Sequence, residues 1–226
     1  RGTKRHAAKS CIDDWREATN LSYSPNARTR LATTIQSLHR RGWCEGTGGN
    51  FCVVEQRDPL KLLMAPTGVD KGSIEPDALI EVNEQGEVVA GEGGASAETR
   101  LHLEIIRHTK AGAVLHTHSA NATYLSKFHA SKKDLTIGGW EMLKGLSGIN
   151  THQTEIRLPI VDNQQNMEKL SKNIQPHLKT APHGFLVAGH GLYSWGNDLD
   201  QAKRHVEILE FLLELYWRDQ LLGALS

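Results

Sequence analysis

Two short stretches decide the fold of this chain: residues 113–119, which read AVLHTHS, and residues 185–195, which read FLVAGHGLYSW. Each begins with an apolar run of the length of a buried strand, and in each the run is followed by histidine. The glycines on either side of His190 let the backbone turn sharply, so that residues 192–195 can pair with the strand before the turn. The two stretches therefore predict buried strands whose ends present histidine side chains.

The surrounding sequence mixes strands and helices without strict alternation. Further strands are predicted over residues 51–54, 60–64, 79–82, 87–90 and 158–161. Helices are predicted from Asn26 to Gly42, from a cap at Ser96 to Gly112, over residues 120–128 and 167–178, and from a cap at Asn197 or Asp198 onward. The last helix has the clearest apolar face, formed by Ala202, Val206, Leu209, Leu213 and Tyr216. This order predicts a single α/β/α domain with a central mixed, largely antiparallel sheet flanked by helices on both faces.

Composition limits the classes of function. The chain has 226 residues, with 26 Lys and Arg against 26 Asp and Glu, and this zero balance argues against nucleic-acid binding. No run reaches the roughly 18 apolar residues of a membrane span, and no apolar signal segment follows the N-terminus. The cysteines (Cys11, Cys44 and Cys52) fit a reducing compartment, which predicts a cytoplasmic protein. The polar residues 1–25 are interpreted as a leader, partly disordered or a tag remnant, and the domain is assigned to residues 26–226.

Three histidines can hold a metal ion. His116 and His118 are two positions apart at the end of a predicted strand, so their imidazoles point to the same face. The pair alone is also explained by two edge histidines that hydrogen-bond to their neighbours. His190 adds a third imidazole at the end of another buried strand, and three neutral imidazoles with an open fourth position are typical of catalytic zinc. The trio therefore predicts a divalent metal site, with zinc as the first choice and other first-row metals as alternatives.

A glycine-rich loop, residues 46–50 (GTGGN), exposes several backbone N–H groups that suit an anion. The loop lacks the lysine of a P-loop and the spacing of a dinucleotide fingerprint, so it can equally be a plain turn. Thr67, Gly68 and Ser96 add hydroxyl and amide donors, and Lys71 can supply the countercharge. A phosphate on a small substrate would satisfy all of these groups.

Two glutamates are candidates for moving protons. Glu98 lies in the first turn of the helix predicted after Ser96, and Glu141 follows Trp140. A carboxylate near apolar surface has its pKa raised toward neutrality, which suits general acid–base catalysis. Either residue can instead be a solvated surface charge, and Glu98 can simply stabilise the helix dipole.

The order of motifs along the chain adds a resemblance to a known family. The segments GTGGN, PTGVDK, SAETRLH, AVLHTHS, EMLKG and AGHGLYSWG follow one another between residues 46 and 196. In this order they resemble the class II aldolase/adducin-like family, from about residue 26 to residue 218. The combination of HTHS with the later GHG is specific to the family, and GWEMLKG at residues 139–145 is similar to its dehydratase branch.

The resemblance implies a zinc enzyme with one ion per subunit, in a homotetramer whose active sites lie at subunit interfaces. It implies that His116, His118 and His190 are the zinc ligands. The implied activity is removal of water from 5-methylthioribulose 1-phosphate, a step of methionine salvage, with Glu141 as the acid/base. Aldolases of the family use the position that matches Glu98, so the division of work between the two carboxylates stays open.

The family's phosphate-binding positions match four residues here: Asn50, Thr67, Gly68 and Ser96. Ala97 stands where aldolases often carry a second serine, so one phosphate contact can differ. An aldolase or epimerase acting on another sugar phosphate would use the same metal site with Glu98. A non-catalytic, adducin-like interaction domain is the third alternative, and it predicts degraded metal ligands, whereas this chain retains all three histidines.

Overall fold

The computed structural model describes residues 26–225, and the predicted leader, residues 1–25, lies outside the described residues. The helices are α1 (Ala27–His39), α2 (Thr99–Thr109), α3 (Ala120–Phe128), α4 (Met167–Ile174) and α5 (Leu199–Leu225). The strands are β1 (Asn50–Arg57), β2 (Leu60–Met64), β3 (Ile80–Asn83), β4 (Val88–Ala90), β5 (Ala113–Thr117), β6 (Asp134–Gly138), β7 (Glu155–Val161), β8 (Gly184–Val187) and β9 (Gly191–Gly196). No helix within residues 26–225 is long and apolar enough to cross a membrane.

All of these strands join one sheet in the order β4-β3-β2-β1-β5-β9-β8-β7-β6. Every neighbouring pair is antiparallel except β7 with β8, which run parallel. The predicted pairing across the Gly-His-Gly turn is confirmed, since Phe185 lies opposite Tyr193 in the β8–β9 ladder. The sheet is therefore mixed and largely antiparallel, as the sequence predicts.

Each face of the sheet is covered by its own hydrophobic core. Side chains alternate along a strand, so Phe51 of β1 belongs to one core and its neighbour Cys52 to the other. The first core contains buried residues of α1, α3 and α5, among them Leu31, Leu125 and Val206. The second core contains buried residues of α2 and α4, such as Leu101 and Leu170. The prediction of helices on both faces is thus confirmed, and the sheet is the middle layer of three.

Side-chain caps begin several helices where the sequence places them. Asn26 accepts a hydrogen bond from the backbone N–H of Thr29 at 2.8 Å, and Asp198 accepts one from Gln201 at 2.8 Å. The predicted cap at Ser96 is wrong, because α2 begins at Thr99 with Glu98 in the capping position. The Ser96 hydroxyl instead accepts the N–H of Glu98 at 3.2 Å, which forms a local turn before the helix.

Two other element predictions need correction. Strand β6 is not predicted by the sequence pattern, because only Leu135 and Ile137 alternate as buried apolar residues over its short length. The helix predicted over residues 167–178 is shorter, since α4 ends at Ile174 and the chain continues in a 3₁₀ turn, Gln175–His177. Pro176 lacks the N–H that would continue the helix, which explains the change.

The strand order brings the ends of several strands to the same end of the sheet. Asn50, the first residue of β1, lies opposite His116 near the end of β5. At the same end β9 begins at Gly191, β8 stops at Val187, and β2 leads into the turn that contains Thr67. The predicted metal and phosphate residues are therefore drawn from different parts of the sequence to one end of the sheet.

Candidate metal centre

The two histidines of the HTHS segment are fixed by the backbone around them. His116 is fully buried within β5, which pairs with β1 on one side and β9 on the other. His118 follows the strand, and its backbone N–H donates to the carbonyl of Trp43 at 2.7 Å. This segment is thus held by the sheet as far as Thr117, and just beyond the strand it is held by the hydrogen bond to Trp43, which precedes the glycine loop.

His190 reaches the same place from the turn between β8 and β9. Gly189 adopts a positive φ of 65°, a conformation that glycine adopts without strain. The hydroxyl of Thr123 on α3 donates to the carbonyl of His190 at 2.9 Å. The turn is therefore held by α3, and the imidazole of His190 faces the other two histidines.

The three imidazoles and one carboxylate converge on a common point. The Nε2 atom of His116 lies 2.8 Å from that of His118 and 3.4 Å from that of His190. A carboxylate oxygen of Glu98 lies 3.1 Å from Nε2 of His190, and the other oxygen lies 3.8 Å from Nε2 of His116. One ligand atom from each of the four residues lies within 4.8 Å of the others. The structure therefore brings together the predicted histidine trio and adds Glu98 to it.

Hydrogen bonding fixes which nitrogen of His116 can bind a metal. Its Nδ1 lies 2.9 Å from the carbonyl oxygen of Leu192, an acceptor, so Nδ1 carries the proton and Nε2 keeps its lone pair. Burial, together with the neighbouring histidines, holds the pKa of His116 well below its ordinary value. Burial also lowers the pKa of His118 to about 4, with His190 and Lys71 contributing. Both rings are accordingly neutral near pH 7, the state in which imidazole binds a metal.

Glu98 is enclosed by polar and aromatic neighbours. The side-chain amide of Asn50 donates to its carboxylate. Tyr193 stacks on His116 with ring centroids 3.8 Å apart, and burial with the adjacent Glu98 charge holds the pKa of the Tyr193 hydroxyl well above its ordinary value. Burial raises the pKa of Glu98, while its electrostatic interaction with His190 and the hydrogen bonds from Tyr193 and Asn50 act in the opposite direction. The expectation of a raised carboxyl pKa is thus met at Glu98.

Glycines beside the histidines leave room for the rings. A Cβ added at Gly48 would lie 2.8 Å from Nδ1 of His118, and one at Gly49 would lie 2.7 Å from the carbonyl oxygen of His116. A Cβ at Gly191 would lie 2.0 Å from the carbonyl oxygen of Thr117. From sequence alone, the glycine loop is explained as an anion nest or a plain turn. The structure adds that Gly48 and Gly49 permit the loop to approach the histidines closely.

The predicted phosphate residues have different surroundings. Asn50 and Ser96 both contact Glu98, so they lie beside the histidine cluster. Thr67 and Gly68 occupy an exposed turn, where the N–H of Thr67 donates to the carbonyl of Gly94 at 2.9 Å. Their common position at this end of the sheet is compatible with one anion, and their role in binding stays a prediction.

Lys71 is the one residue of this predicted set with a buried cationic group. It is 1% exposed, and its Nζ donates to the carbonyl oxygens of Thr47 at 3.1 Å and Val69 at 3.0 Å. Burial lowers its pKa. Its positive charge also contributes to the lowered pKa of His118, which places it near the cluster. An ammonium group with two of its three protons used has one donor left for an anion.

Glu141 lies in a separate group of side chains. It begins the 3₁₀ turn Glu141–Gly145, its side chain is 69% exposed, and its carboxylate contacts Nζ of Lys144 at 2.6 Å and Nδ1 of His152 at 3.1 Å. The hydrogen bond from Lys144 is the main cause that lowers the pKa of Glu141. The expected upward shift is therefore wrong for this residue, because its carboxylate is solvated and paired with cations. Its role as acid/base stays a prediction.

The donor set of the cluster fits a zinc ion. Neutral imidazole nitrogens with a carboxylate oxygen are established zinc donors, and they also suit other first-row metals. The fixed tautomer of His116 leaves its Nε2 free, and the Nε2 atoms of His118 and His190 lie 2.8 and 3.4 Å from it. These nitrogens, with the nearby Glu98, form a site that can accept a divalent ion.

Sequence comparison gives the family of the protein. The sequence matches the Class II Aldolase and Adducin N-terminal domain over residues 29–217. The chain belongs to this family.

Two curated relatives carry the same name. The chain is 43% identical over 198 residues to methylthioribulose-1-phosphate dehydratase of Serratia proteamaculans strain 568, covering 86% of this chain and 95% of that protein. It is 37% identical over 200 residues to methylthioribulose-1-phosphate dehydratase of Sorangium cellulosum strain So ce56, covering 87% and 93%. The similarity therefore extends over nearly the full length of these dehydratases.

Solved structures share the fold. An L-fuculose 1-phosphate aldolase superposes with a TM-score of 0.72 at 22% identity, covering 88% of this chain and 89% of that chain. The L-fuculose-1-phosphate aldolase of Thermus thermophilus gives a TM-score of 0.68 at 24% identity, covering 88% and 99%. The three-layer architecture is thus that of class II aldolases.

Proposed function

We propose that this chain is a metal-dependent hydro-lyase that dehydrates 5-methylthioribulose 1-phosphate to 5-methylthio-2,3-dioxopentyl phosphate, a step of methionine salvage. The observation that carries the proposal is the convergence of His116, His118, His190 and Glu98 on one point. It occurs in a chain 43% identical to a dehydratase named for this substrate. The proposed cofactor is zinc, one ion per subunit, held by the three histidines.

The proposed chemistry removes a proton from C3 and hydroxide from C4 of the ketose. A bound zinc ion supplies Lewis acidity toward the ketose oxygens, which makes the C3 proton easier to remove. The enol that results from loss of water is converted to its tautomer, the 2,3-diketone. The protein must therefore provide a base for the C3 proton and an acid for the departing hydroxide.

Two carboxylates have different roles in the proposal: Glu141 carries out the proton transfers and Glu98 positions the substrate. Glu141 takes the C3 proton and then assists departure of the C4 hydroxide, as the resemblance to the dehydratase branch implies. Its lowered pKa means that Glu141 is ionised near pH 7 and ready to accept a proton. Glu98 lies at the metal ligands and orients the reacting end of the substrate. Its hydrogen bond from Asn50 and its contact with His190 hold it there.

The phosphate of the substrate is proposed to bind beside the glycine loop. Lys71 supplies the positive charge, and Thr67, Gly68, Ser96 and Asn50 supply hydroxyl, amide and backbone donors. Lys71 is already enclosed by the carbonyls of Thr47 and Val69, so its ammonium group is oriented before the substrate arrives. These contacts contribute orientation of the substrate more than chemistry.

The proposal is tested by a product assay on 5-methylthioribulose 1-phosphate, with and without a chelator. The expected product is a diketone phosphate that absorbs in the near ultraviolet, and chelation should abolish its formation until zinc is restored. Unchanged turnover after complete removal of metal would contradict the mechanism.

One observation favours a second candidate function, a sugar-phosphate aldolase or epimerase. Glu98, which matches the acid/base position of the aldolases, lies in the histidine cluster with a raised pKa, whereas Glu141 lies outside it. An aldolase would release dihydroxyacetone phosphate from its substrate. The same assay separates the two functions, since dehydration yields the diketone and no triose phosphate.

The active assembly is proposed to be a homotetramer in the cytoplasm. Support comes from exposed aromatic rings on α3, where Phe128 is 65% and Tyr124 50% exposed. These two rings stack on each other and Tyr124 also contacts Trp217 of α5, so the apolar surface spans two helices. Cys44 and Cys52 are buried free thiols, which supports a reducing compartment. Light scattering should give four times the 25.0 kDa mass of the chain.

A further inference from the structure

The HTHS segment presents two different sets of side chains to the two faces of the sheet. Successive side chains along a strand alternate, so Thr117 faces opposite to His116. Thr117 and Ser119 are both buried, with 0% and 3% exposure. Their hydroxyls point toward α5, where they meet the carboxylate of Glu210. The metal-ligand segment is therefore in contact with the C-terminal helix through its two hydroxyl residues.

Glu210 receives one hydroxyl on each oxygen. The Thr117 hydroxyl donates to Oε1 at 2.5 Å, and the Ser119 hydroxyl donates to Oε2 at 2.5 Å. Ser119 also caps α3, because its Oγ accepts the backbone N–H of Ala122 at 3.0 Å. A hydroxyl has a single proton, so the Ser119 oxygen accepts from Ala122 while its proton goes to Glu210. These directions make Glu210 an acceptor on both sides of His118.

A buried carboxylate is unusual on the apolar face of a helix. Glu210 is 3% exposed and lies on α5 next to Leu209, a residue of the first core. Burial raises the pKa of Glu210 to about 7, while the hydrogen bonds from the Ser119 and Thr117 hydroxyls act in the opposite direction. An apolar residue would fill this space without the penalty of burying a carboxylate. The buried glutamate therefore indicates a function that depends on its two hydrogen bonds.

We propose that Glu210 is a positioning residue of the metal site. Its two oxygens hold Thr117 and Ser119, the residues that flank His118, and so fix the direction in which the His118 imidazole leaves the backbone. The carbonyl of Trp43 holds the N–H of His118 itself, which leaves the segment restrained from three sides. The proposal rests on the metal centre proposed above and does not depend on the identity of the substrate.

The test is the zinc dissociation constant of the full chain, measured by competition with a chromophoric chelator. Glu210→Gln keeps the size of the side chain but replaces one acceptor oxygen with an amide donor, so one hydroxyl loses its acceptor. The expected result is zinc binding weakened about 10-fold or more, the lower end of the range for groups that orient metal ligands. Glu214→Gln is the matched control, because Glu214 lies on the same helix, 45% exposed and paired with Arg218, and should leave zinc affinity unchanged.

Thr117→Val provides a second variant that removes one hydroxyl and leaves the buried carboxylate in place. It should also weaken zinc binding, and the loss of zinc affinity in the double variant should be smaller than the sum of the two single losses, because both changes act on the contacts of Glu210. The proposal is overturned if Glu210→Gln or, should that variant fail to fold, Thr117→Val binds zinc within twofold of the unmodified chain. A loss of thermal stability with unchanged zinc affinity also overturns it, since Glu210 would then be structural alone. An unmodified chain that binds no divalent ion overturns the metal centre itself, which is a different failure.

Discussion

At the scale of single residues, the sequence predicts that the three histidines lie together, and it indicates Glu98 as an acid/base candidate without placing it beside them. Spacing alone places His116 and His118 on one face, and the glycines around His190 indicate a turn at a strand end. Glu98 is near them because the start of α2 lies beside the end of β5. This proximity depends on the tertiary fold, and no local sequence pattern predicts it. The buried position of Glu210 is even harder to predict, since in the sequence it is one of several glutamates on an amphipathic helix.

The two candidate acid/base residues should respond differently to removal of their charge. Glu141→Gln should lower kcat about 10²- to 10⁴-fold, the usual contribution of a general acid or base, and leave bound zinc unchanged. Glu98→Gln should weaken zinc binding as well, because its oxygen lies 3.1 Å from Nε2 of His190. Metal content and kcat on 5-methylthioribulose 1-phosphate are the measurements. Glu168→Gln, whose parent side chain is 53% exposed, is the control.

A different outcome would assign the role of acid/base to Glu98 instead of Glu141. If Glu141→Gln retains full kcat while Glu98→Gln loses it with zinc still bound, Glu98 is the acid/base. The exposed pairing of Glu141 with Lys144 and His152 would then be a surface interaction alone.

Replacement of Lys71 tests the proposed phosphate contact. Lys71→Met removes the charge and keeps an unbranched side chain, and KM should rise about 10- to 100-fold, the effect of losing a hydrogen bond to a charged group. Zinc content should not change, because Lys71 is not among the residues of the metal cluster. Lys172→Met is the control, since that side chain is 68% exposed. An unchanged KM would exclude Lys71 from phosphate binding.

At the scale of elements, most strands and helices follow from apolar periodicity and their capping residues. Strand β6 escapes prediction because it has only two buried apolar side chains and ends in glycine. The predicted start of α2 is misplaced because Ser96 has the chemistry of a cap but forms a turn that precedes the helix. Both errors arise where tertiary contacts, rather than the local pattern, decide which residues join an element.

Gly191 offers a test of the pairing between β5 and β9. An added Cβ would lie 2.0 Å from the carbonyl oxygen of Thr117, so Gly191→Ala must separate these strands. The free energy of unfolding should fall by about 1–3 kcal/mol, the usual effect of overpacking, and zinc affinity should fall with it. Chemical denaturation and chelator competition are the measurements.

The matched control for Gly191 is Gly223→Ala in α5, where an added Cβ has nothing within 4 Å. Alanine also favours a helix over glycine, so the control should be unchanged or about 1 kcal/mol more stable. Equal stability of Gly191→Ala and the unmodified chain would show that the strands tolerate the separation.

At the scale of the whole molecule, buried histidines make stability depend on pH. Burial lowers the pKa of His205 to about 4 and that of His102 to about 3, both below the ordinary value of 6.5. Below pH 6.5 the unfolded chain therefore binds protons that the folded chain does not. The free energy of unfolding should decline as pH falls from about 6.5 toward 4, and each such histidine contributes up to about 1.4 kcal/mol per pH unit.

A His205→Asn variant isolates one of these contributions. His205 accepts the N–H of Ser147 on Nε2 at 3.3 Å and donates from Nδ1 to the carbonyl of Trp195 at 2.7 Å, which only the neutral ring can do. Urea denaturation at pH values from about 4 to about 7 should show a shallower decline for the variant than for the unmodified chain. Parallel curves would mean that His205 titrates normally in the folded protein.

The adjacency of β5, β9 and β8 has a consequence for how the site is built. Its nitrogen donors come from a strand and from a hairpin turn that are neighbours in one ladder, with His116 opposite Tyr193. A shift of one residue in the pairing of these strands would turn the His116 ring to the opposite face of the sheet and leave the other two histidines without it. If the proposed metal centre is correct, metal content measures correct assembly, because a chain whose central strands are paired out of register would not bind the ion, however compact it is.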